Sequence, residues 1–480
     1  MTRLGRVCGL ETEYGVTSVY ISSDSGSPEA RSEARSESRS EARAGNRSEA
    51  HAEEPPLSVE EAVKEIFAST ERAVRVPHGF LSNGARLYID IGAHPEYAGP
   101  ECLDLEDVVA QDLAGDAIIQ DLVDIANAKL LNRGMRIHAL KTNADSWGNS
   151  FGCHENYQYG ANTPISIPSF VSFLAARQIL CGSGCIDEDG RYCFSARARY
   201  ITETASADPT HHKAFINTKE EPHADASLWR RLHVTCADSA MLPVTVALRT
   251  FLADRFLSLL EGSAAGDFIV LDDPVAAVKT WNYEPNARMR GQRGEAAVEV
   301  SCPELMRQSL DLFPADDDEF GLRDVAERGL AALSEGNLAA VSSELDWSLK
   351  YQLISHVAAG ETDFGGARAR RADLVFHDLS KQYGLRERLL TSGNVKSMVD
   401  GSTISLAKTV PPANTRAALR GKVVEACDLA GRRASIGWAY VRLDQPPSPQ
   451  IDLLNPLESE SAEVTQLLEK IENLPNVQNK

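Results

Sequence analysis

The sequence RLYID at residues 86–90 alternates charged or polar side chains with apolar ones. Because successive side chains of a β-strand point to opposite faces of a sheet, the alternation predicts a strand with Arg86, Tyr88 and Asp90 on one face. The leucine and isoleucine between them would anchor the other face in the core. The segment is therefore expected to present an arginine, a phenol and a carboxylate to one side of a sheet.

A second strand-like sequence, GLETEYG at residues 9–15, places Glu11 and Glu13 on a common face by the same rule. Further carboxylates follow the first segment, at Glu96 and Glu101. Convergent carboxylates suit Mg²⁺, which prefers hard oxygen ligands, and an arginine can hold phosphate oxygens during phosphoryl transfer. These segments therefore predict a magnesium and nucleotide site. Ordinary salt bridges on a solvated sheet face are the alternative.

The remaining patterns predict an α+β fold. Strand patterns cover residues 6–17 and 85–91, and amphipathic helical patterns cover residues 244–260, 322–333, 338–357, 416–429 and 467–474. Strands and helices do not alternate regularly, which argues against a doubly wound sheet. The Pro-Pro pair at residues 411–412 marks the start of a small C-terminal domain at 411–480, so residues 1–410 would form the larger domain.

One segment does not fit a core. Residues 23–56 contain a four-residue repeat rich in Ser, Ala, Arg and Glu, beginning at Ala30. On a helix this period would place arginines next to arginines, and the segment has no apolar face to dock. We predict a disordered insertion. A weak helix that forms on binding a partner is the less favoured interpretation.

Composition limits the class of protein. The chain has 480 residues, 43% of them hydrophobic, and a net charge of −20, which argues against a nucleic-acid binder because phosphate neutralisation needs a basic face. No apolar stretch approaches a membrane span, and the N-terminus lacks an apolar signal core, so a cytoplasmic protein is expected. The nine scattered cysteines, with Cys181, Cys185 and Cys193 nearest together, are expected to be reduced structural thiols rather than a disulfide framework or metal site.

Other motifs carry weaker information. The chain has neither a Gly-x₄-Gly-Lys-Ser/Thr loop nor a dinucleotide-binding glycine motif, so a nucleotide would bind without a glycine-rich phosphate loop. Two polar runs, at residues 141–156 and 217–233, contain His154 and His233, each of which taken alone is more often a core histidine. A local basic site could come from several arginines, although solvated surface positions are the default for each: Arg230, Arg231, Arg368, Arg370, Arg371, Arg416 and Arg420.

Taken together, these motifs resemble the Pup ligase family. The matching sequences, in order, are GLETEYG (9–15), NGARLYIDIGAHPEYAGPEC (83–102), DSWGNSFGCHENY (145–157), INTKEEPHADASLWRRLHV (216–234), ELDWSLK (344–350), DLVFHD (373–378) and NTRAALRG (414–421). The resemblance covers the chain from Arg6 to about Pro446, apart from the insertion. It implies a glutamine-synthetase-like domain with a curved antiparallel sheet backed by helices, followed by a small C-terminal domain.

The resemblance also implies a reaction. ATP would phosphorylate the C-terminal glutamate of Pup, a small prokaryotic ubiquitin-like protein. A lysine of a target protein would then displace phosphate to form an isopeptide bond that marks the target for proteasomal degradation. The implied partners are therefore Pup and lysine-bearing proteins, with no nucleic acid and no membrane, and the implied cofactors are ATP and Mg²⁺.

Residue roles follow from the same resemblance. Glu11, Tyr88 and Glu96 match the Mg²⁺ ligands of the family, Arg86 and Trp438 match its ATP contacts, and Asp90 matches its proton acceptor. Trp438 has no support apart from the resemblance, because a tryptophan is usually a core residue. One position departs from the pattern, since the family has an ATP-contacting threonine where this chain has Gly99.

Three alternatives stay open. A depupylase, which hydrolyses Pup conjugates and deamidates Pup, shares the fold and carries an extra loop between the same two motifs as the 23–56 insertion. A noncatalytic Pup-binding protein and a ligase for free glutamate are more distant. Because Pup is acidic, a local basic groove is expected, with Arg416 and Arg420 as its candidate residues.

Overall fold

The computed structural model describes residues 3–21, 56–68, 78–145, 148–208, 213–219, 221–314, 318, 320–359, 363–444 and 448–473. The predicted disordered insertion at 23–56 lies outside the described residues, except for Pro56. None of the described helices is long and apolar enough to span a membrane.

The strands, in chain order, are β1 (Arg3–Glu13), β2 (Gly15–Tyr20), β3 (His78–Phe80), β4 (Arg86–Asp90), β5 (His94–Ala98), β6 (Cys102–Asp104), β7 (Met135–Leu140), β8 (Cys153–Gly160), β9 (Cys185–Ile186), β10 (Tyr192–Cys193), β11 (Glu203–Ser206), β12 (Ala214–Asn217), β13 (Trp229–Val234), β14 (Val270–Leu271), β15 (Met289–Arg293), β16 (Ala296–Val300), β17 (Ala434–Gly437), β18 (Tyr440–Leu443) and β19 (Ile451–Asp452).

The α-helices are α1 (Val59–Phe67), α2 (Leu105–Leu130), α3 (Ile167–Leu180), α4 (Pro243–Glu261), α5 (Pro274–Trp281), α6 (Cys302–Leu312), α7 (Leu322–Glu335), α8 (Asp346–Val357), α9 (Ala367–Phe376), α10 (Arg386–Thr391), α11 (Gly401–Ala407), α12 (Ala417–Leu429) and α13 (Ala462–Asn473).

A nine-stranded sheet organises the molecule and confirms the predicted α+β class. Its strands run in the order β11-β12-β13-β8-β1-β5-β4-β3, and β6 also pairs with β1. The pairs are antiparallel except β11 with β12, which is parallel. Strand β1 therefore lies near the middle and is hydrogen-bonded to β8 on one side and β5 on the other.

Helices cover one face of this sheet. Helices α2 and α4 pack against β1, whose Cys8 and Leu10 point into the main hydrophobic core. Because side chains alternate along a strand, Glu11 and Glu13 point to the opposite face. Burial of the apolar face thus leaves the polar face of the sheet for the site.

Several predicted elements differ in their limits. The single strand expected at 6–17 is divided at Tyr14 into β1 and β2, which belong to different sheets. The helix expected at 338–357 begins only at Asp346, because the preceding residue Leu345 has extended backbone angles. The helices expected near 244–260, 322–333 and 416–429 are confirmed as α4, α7 and α12.

The cysteine prediction is wrong for one pair. Cys185 and Cys193 form a disulfide across the two-stranded β9–β10 sheet, with their Cα atoms 5.3 Å apart. The sequence spacing gave no indication of the hairpin that places them opposite each other. The other seven cysteines, including Cys181, are free and buried.

Candidate functional site

A row of polar side chains crosses three strands on the open face of the sheet. Glu13 of β1 lies opposite Glu96 of β5, and Glu96 lies opposite Tyr88 of β4. The Tyr88 hydroxyl donates a hydrogen bond to Oε1 of Glu96. Asp90, two residues beyond Tyr88, points to the same face. The sheet register thus brings together side chains from three strands.

Three carboxylates of this row form a tight cluster. Oxygens of Glu13, Asp90 and Glu96 lie within 4.8 Å of one another. Burial raises the pKa of Glu96 well above its usual value, and the charges of Glu11 and Glu13 raise it further. The Glu96 side chain, which is 2% exposed, cannot relieve this repulsion through water. The cluster has the donor set and the excess negative charge that a divalent cation would compensate.

Glu11 lies in a second group, with two histidines. Its Oε2 is 3.2 Å from Nδ1 of His154 and 3.7 Å from Nε2 of His233. Burial alone would raise the pKa of Glu11, but the neighbouring His154 and His233 outweigh it and hold that pKa well below its usual range. Burial lowers the pKa of His233, against the opposing influence of Glu11.

The two histidines are therefore part of the site rather than ordinary core residues. They belong to the neighbouring strands β8 and β13, and their rings meet edge to face with centroids 5.2 Å apart. His233 is 9% exposed, and neither of its ring nitrogens has a hydrogen-bond partner. Glu11, His154 and His233 each offer an atom within 4.8 Å of the others, so this second group could also hold a cation.

A cleft opens next to these groups. Glu11, Gly99, Arg231 and Trp438 are among its lining residues. Arg231 Nη1 donates to Oδ1 of Asn156 at 2.7 Å and lies 4.0 Å from Oε1 of Glu11, so it brings positive charge to the wall of the cleft. Gly99 takes part through its backbone, since its N–H donates to the carbonyl of Leu10.

An aromatic group connects the strand β4 to the C-terminal part of the chain. The guanidinium of Arg86 lies 4.8 Å from the centre of the Tyr88 ring and 5.9 Å from that of Phe80. Phe80 in turn packs edge to face on Trp438, with centroids 5.0 Å apart. Nε of Arg86 is buried without a hydrogen-bond partner. Arg86 and Trp438 thus both lie next to Phe80.

Arg416 and Arg420 do not form the exposed basic groove that the sequence suggested. Both are buried, at 3% and 0% exposure, and both bind the carboxylate of Glu101. Burial alone would raise the pKa of Glu101, but the charges of Arg420 and Arg416 lower it to about 2. Arg416 also donates to the carbonyls of His223 and Leu453. These arginines join the C-terminal segment to the sheet, and their charge is paired with Glu101 inside the fold.

Sequence reasoning found Glu13 but did not include it among the predicted metal ligands, although its two-residue spacing from Glu11 was a usable signal. It missed Arg197 and Lys213, which reach the same end of the sheet from segments distant in sequence. The predicted residues fall into two groups: Tyr88, Glu96 and Asp90 lie together, whereas Glu11, on the adjacent strand β1, groups with the two histidines.

Comparison with known proteins gives consistent matches over nearly the whole chain. Residues 6–442 match the model of a family described as Pup-ligase protein. The Pup–protein ligase of Xylanimonas cellulosilytica is 33% identical over 485 residues, which cover 97% of this chain and 99% of the relative. The Pup–protein ligase of Sanguibacter keddieii is 32% identical, with the same shares of the two chains covered.

Two solved structures are also similar. A complex between the prokaryotic ubiquitin-like protein Pup and its ligase PafA matches with a TM-score of 0.82 and 26% identity, over 98% of this chain and 93% of that chain. The Pup ligase PafA in complex with ADP matches with a TM-score of 0.75 and 28% identity, over 82% of this chain and 90% of that chain.

Proposed function

Since the chain belongs to the Pup-ligase protein family, we propose that it is an ATP-dependent ligase that joins the C-terminal glutamate of Pup to lysines of target proteins by an isopeptide bond. The observation that carries the proposal is the row of Glu13, Glu96, Tyr88 and Asp90 beside an open cleft, in a chain similar to ligases over its full length. The relatives and solved structures named above are ligases, which favours the forward reaction over the depupylase alternative.

Glu11, Tyr88 and Glu96 would hold Mg²⁺, with Glu13 as an added ligand. The fit rests on the chemistry of the donors: clustered carboxylate oxygens, a phenol hydrogen-bonded to one of them, and the burial and carboxylate repulsion that raise the pKa of Glu96. When bound, the cation would neutralise phosphate charge and orient the nucleotide. The two histidines beside Glu11 would steady that carboxylate at the edge of the metal site.

ATP would lie in the cleft that Trp438 and Glu11 line. The aromatic surface of Trp438 offers a stacking face for a base, and Arg86 supplies a cation with a donor that no described residue uses. Gly99 lacks the hydroxyl found in the family, so its contribution would be limited to its backbone.

Asp90 would accept a proton from the incoming lysine. A lysine with an ordinary pKa of about 10.4 is mostly protonated at neutral pH and cannot attack an acyl phosphate. A carboxylate next to the carbonyl can orient the ammonium and remove its proton. Asp90 is only partly buried, at the end of β4, where a lysine from another protein can reach it.

The two proposed domains would divide this work. The C-terminal part, 411–480, has a hydrophobic cluster of its own that includes Leu419, Val441 and Ile471, and it contributes Trp438 to the cleft formed mainly by residues of 1–410. The ion pairs of Glu101 with Arg416 and Arg420 would keep the two parts together. We place the reaction in the cytoplasm.

The Asp90→Asn variant tests the proposal. It should lower the conjugation rate by about 10²–10⁴-fold, the usual effect of removing a general base, while ADP binds within about twofold of the wild type. Conjugation is measured with ATP, Mg²⁺, Pup ending in glutamate and a lysine-bearing protein, and ADP affinity by calorimetry. Asp311→Asn, at an exposed aspartate of α6, is the matched control.

Conjugation by Asp90→Asn at the wild-type rate would remove Asp90 from this role. The depupylase alternative has a different signature. In that case the wild-type protein would form no conjugate but would release Pup from preformed conjugates.

A further inference from the structure

His94 lies on the open face of the sheet, directly beside Asp90. It is the first residue of β5 and pairs with Asp90, the last residue of β4. Residues directly opposite each other in an antiparallel pair project to the same face, with Cβ atoms about 4.5–5.5 Å apart. His94 also shares this face with Glu96, two residues further along the same strand. The imidazole is therefore an immediate neighbour of the carboxylate proposed to accept the proton.

Two contacts fix the His94 ring. Its Nδ1 is 3.1 Å from the carbonyl oxygen of Tyr14, and the ring stacks on Phe151 with centroids 4.0 Å apart. Phe151 is itself 5% exposed, and its N–H donates to the carbonyl of Asn143. Because a carbonyl can only accept a hydrogen bond, the hydrogen lies on Nδ1, and Nε2 of the neutral ring keeps a lone pair. The fold thus sets both the tautomer and the orientation of this histidine.

The second nitrogen of His94 is open. Among the described residues, Nε2 has no hydrogen-bond partner, and it is not one of the nitrogens that are buried without one. A Cβ atom added to Gly92 would lie 3.2 Å from Nε2, so the glycine keeps the space beside this nitrogen free. His233 is different, because both of its ring nitrogens are buried. His94 therefore offers a fixed acceptor that a group from outside the fold can reach.

The turn that joins β4 to β5 lets another protein approach this acceptor. It consists of Ile91, Gly92 and Ala93, and the Ala93 N–H donates to the carbonyl of Asp90. Gly92 and Ala93 have φ angles of 86° and 60°, so the chain reverses immediately after Asp90. Ile91 is 72% exposed. The hairpin end that carries Asp90 and His94 is consequently at the surface.

A lysine side chain has the donors that this pair of residues lacks. Its ammonium carries three N–H groups and no acceptor, whereas Asp90 and Nε2 of His94 both accept. Among the described residues, Asp90 and His94 form no hydrogen bond or ion pair with each other, so the space between the two side chains is free. One acceptor alone would leave the nitrogen free to turn. Two acceptors on neighbouring strands would hold it in one orientation.

We propose that Nε2 of His94 accepts a hydrogen bond from the target lysine and, together with Asp90, aims its nitrogen at the acyl phosphate. This inference rests on the proposed function. Asp90 takes one proton from the ammonium, and the nitrogen lone pair forms the bond to the carbonyl carbon. The bond from that carbon to the bridging oxygen breaks, and phosphate leaves with the electron pair and a second proton of the nitrogen. His94 holds a remaining N–H and is neither protonated nor consumed.

The simpler interpretation is that His94 only joins two segments, through its bond to the Tyr14 carbonyl. Two substitutions separate the roles, because each keeps one side of the imidazole. His94→Asn places an amide N–H near the position of Nδ1 and has no group at Nε2. His94→Gln places an amide oxygen near the position of Nε2 and loses the donor at Nδ1. A structural role predicts that His94→Gln is the impaired variant, and a role toward lysine predicts that it is His94→Asn.

The measurement divides the reaction into its two steps. With a lysine-bearing protein, His94→Asn should lower kcat/KM for that protein by about tenfold or more, as on loss of one hydrogen bond to a charged group, and His94→Gln should recover most of it. In single turnovers with Pup and ATP alone, ADP formation should stay within about twofold of the wild type for both variants.

Hydroxylamine provides an internal check, because this small nucleophile attacks an acyl phosphate without needing a bound lysine. Hydroxamate formation on Pup by His94→Asn should therefore remain within about twofold of the wild type, which also shows that the variant is folded. His356→Asn is the matched control, since His356 is an exposed histidine of α8, a helix that contributes nothing to the cleft or to the carboxylate cluster.

The proposal would be overturned if His94→Asn conjugated lysine at the wild-type rate, or if His94→Gln were the slower variant. An equal loss of hydroxamate and lysine conjugate would also overturn it, because the defect would then precede the attack of lysine. Failure of the proposed function has a different signature. In that case the wild-type protein would form neither hydroxamate nor conjugate from ATP and Pup.

Discussion

The two faces of the segment around β1 differ in whether their charged side chains form ion pairs. On the face toward α2, the side chains of Thr12 and Tyr14 meet two aspartates, Asp112 and Asp116, and two cations. Nζ of Lys141 lies 2.6 Å from Oδ2 of Asp112 and 3.1 Å from Oδ2 of Asp116, and Arg386 also binds Asp116. Two acids and two bases are thus balanced within the fold.

The face toward the cleft is not balanced. Within the described residues, Glu13, Asp90 and Glu96 form no ion pair with a lysine or arginine, while Arg197 and Lys213 lie nearby without acidic partners. Both arrangements use charged side chains at low exposure, so burial alone does not distinguish them. The difference is whether the opposite charges form ion pairs. Ion-paired side chains stabilise the fold, whereas unpaired ones leave room for a ligand that carries both a cation and an anion.

The largest effect is expected where a balanced charge is removed. Lys141→Met should lower the free energy of unfolding by about 3–5 kcal/mol, because it leaves Asp112 and Asp116 buried with less compensation. Denaturant unfolding of the full chain measures this. Lys129→Met, at an exposed lysine of the neighbouring α2, should change stability by less than about 0.5 kcal/mol. Equal stability of the two variants would show that the buried network does not hold the fold.

The open face could be predicted from sequence because its information is local. Alternation at residues 86–90 and 9–13 is enough to assign which side chains share a face of a strand. The balanced face could not be predicted, because Lys141 and Arg386 reach Asp116 from 25 and 270 residues away. The hydroxyl of Tyr14 likewise donates to Asp116 on a helix that the sequence pattern does not place.

The order of the strands and the long-range contacts explain the other residues whose roles the sequence did not predict. His154 and His233 could be recognised as site residues only once β8 and β13 were known to lie beside β1. Arg416 and Arg420 resembled a basic patch, because the sequence does not reveal that Glu101 lies between them. Isolated charged residues are ambiguous in sequence, and their partners, which are distant along the chain, decide their role.

A second prediction removes charge from the unbalanced face. In the presence of a chelator at pH 7, Glu96→Gln should raise the free energy of unfolding, because burial and the neighbouring carboxylates raise the pKa of Glu96 in the folded state. The sign follows from linkage. A carboxyl group whose pKa is raised in the folded state makes the protein less stable as the pH rises above the pKa of that group in the unfolded chain, about 4.3. The gain should therefore disappear below that pH.

Thermal unfolding at several pH values measures this gain, and Glu295→Gln in the exposed β15–β16 turn is the control. Excess Mg²⁺ should reverse the order by stabilising the wild type alone. A loss of stability in the chelator at pH 7 would mean that Glu96 is compensated in the fold, and the distinction between the two faces would fail.

The smallest effect tests whether the two faces act separately. Tyr14→Phe removes the hydroxyl that donates to Oδ1 of Asp116 at 2.8 Å and should lower the free energy of unfolding by about 1 kcal/mol. Tyr20→Phe, at a 61% exposed tyrosine of β2, should have no measurable effect. Tyr14 lies on the balanced side, so the affinity of the variant for the nonhydrolysable ATP analogue AMP-PNP should stay within about twofold of the wild type. Loss of one hydrogen bond between the protein and a charged group of the nucleotide would instead lower that affinity by about tenfold. A larger loss of affinity at unchanged stability would show that the buried network positions Glu11 and Glu13 for the nucleotide, and the two faces would then be one functional unit.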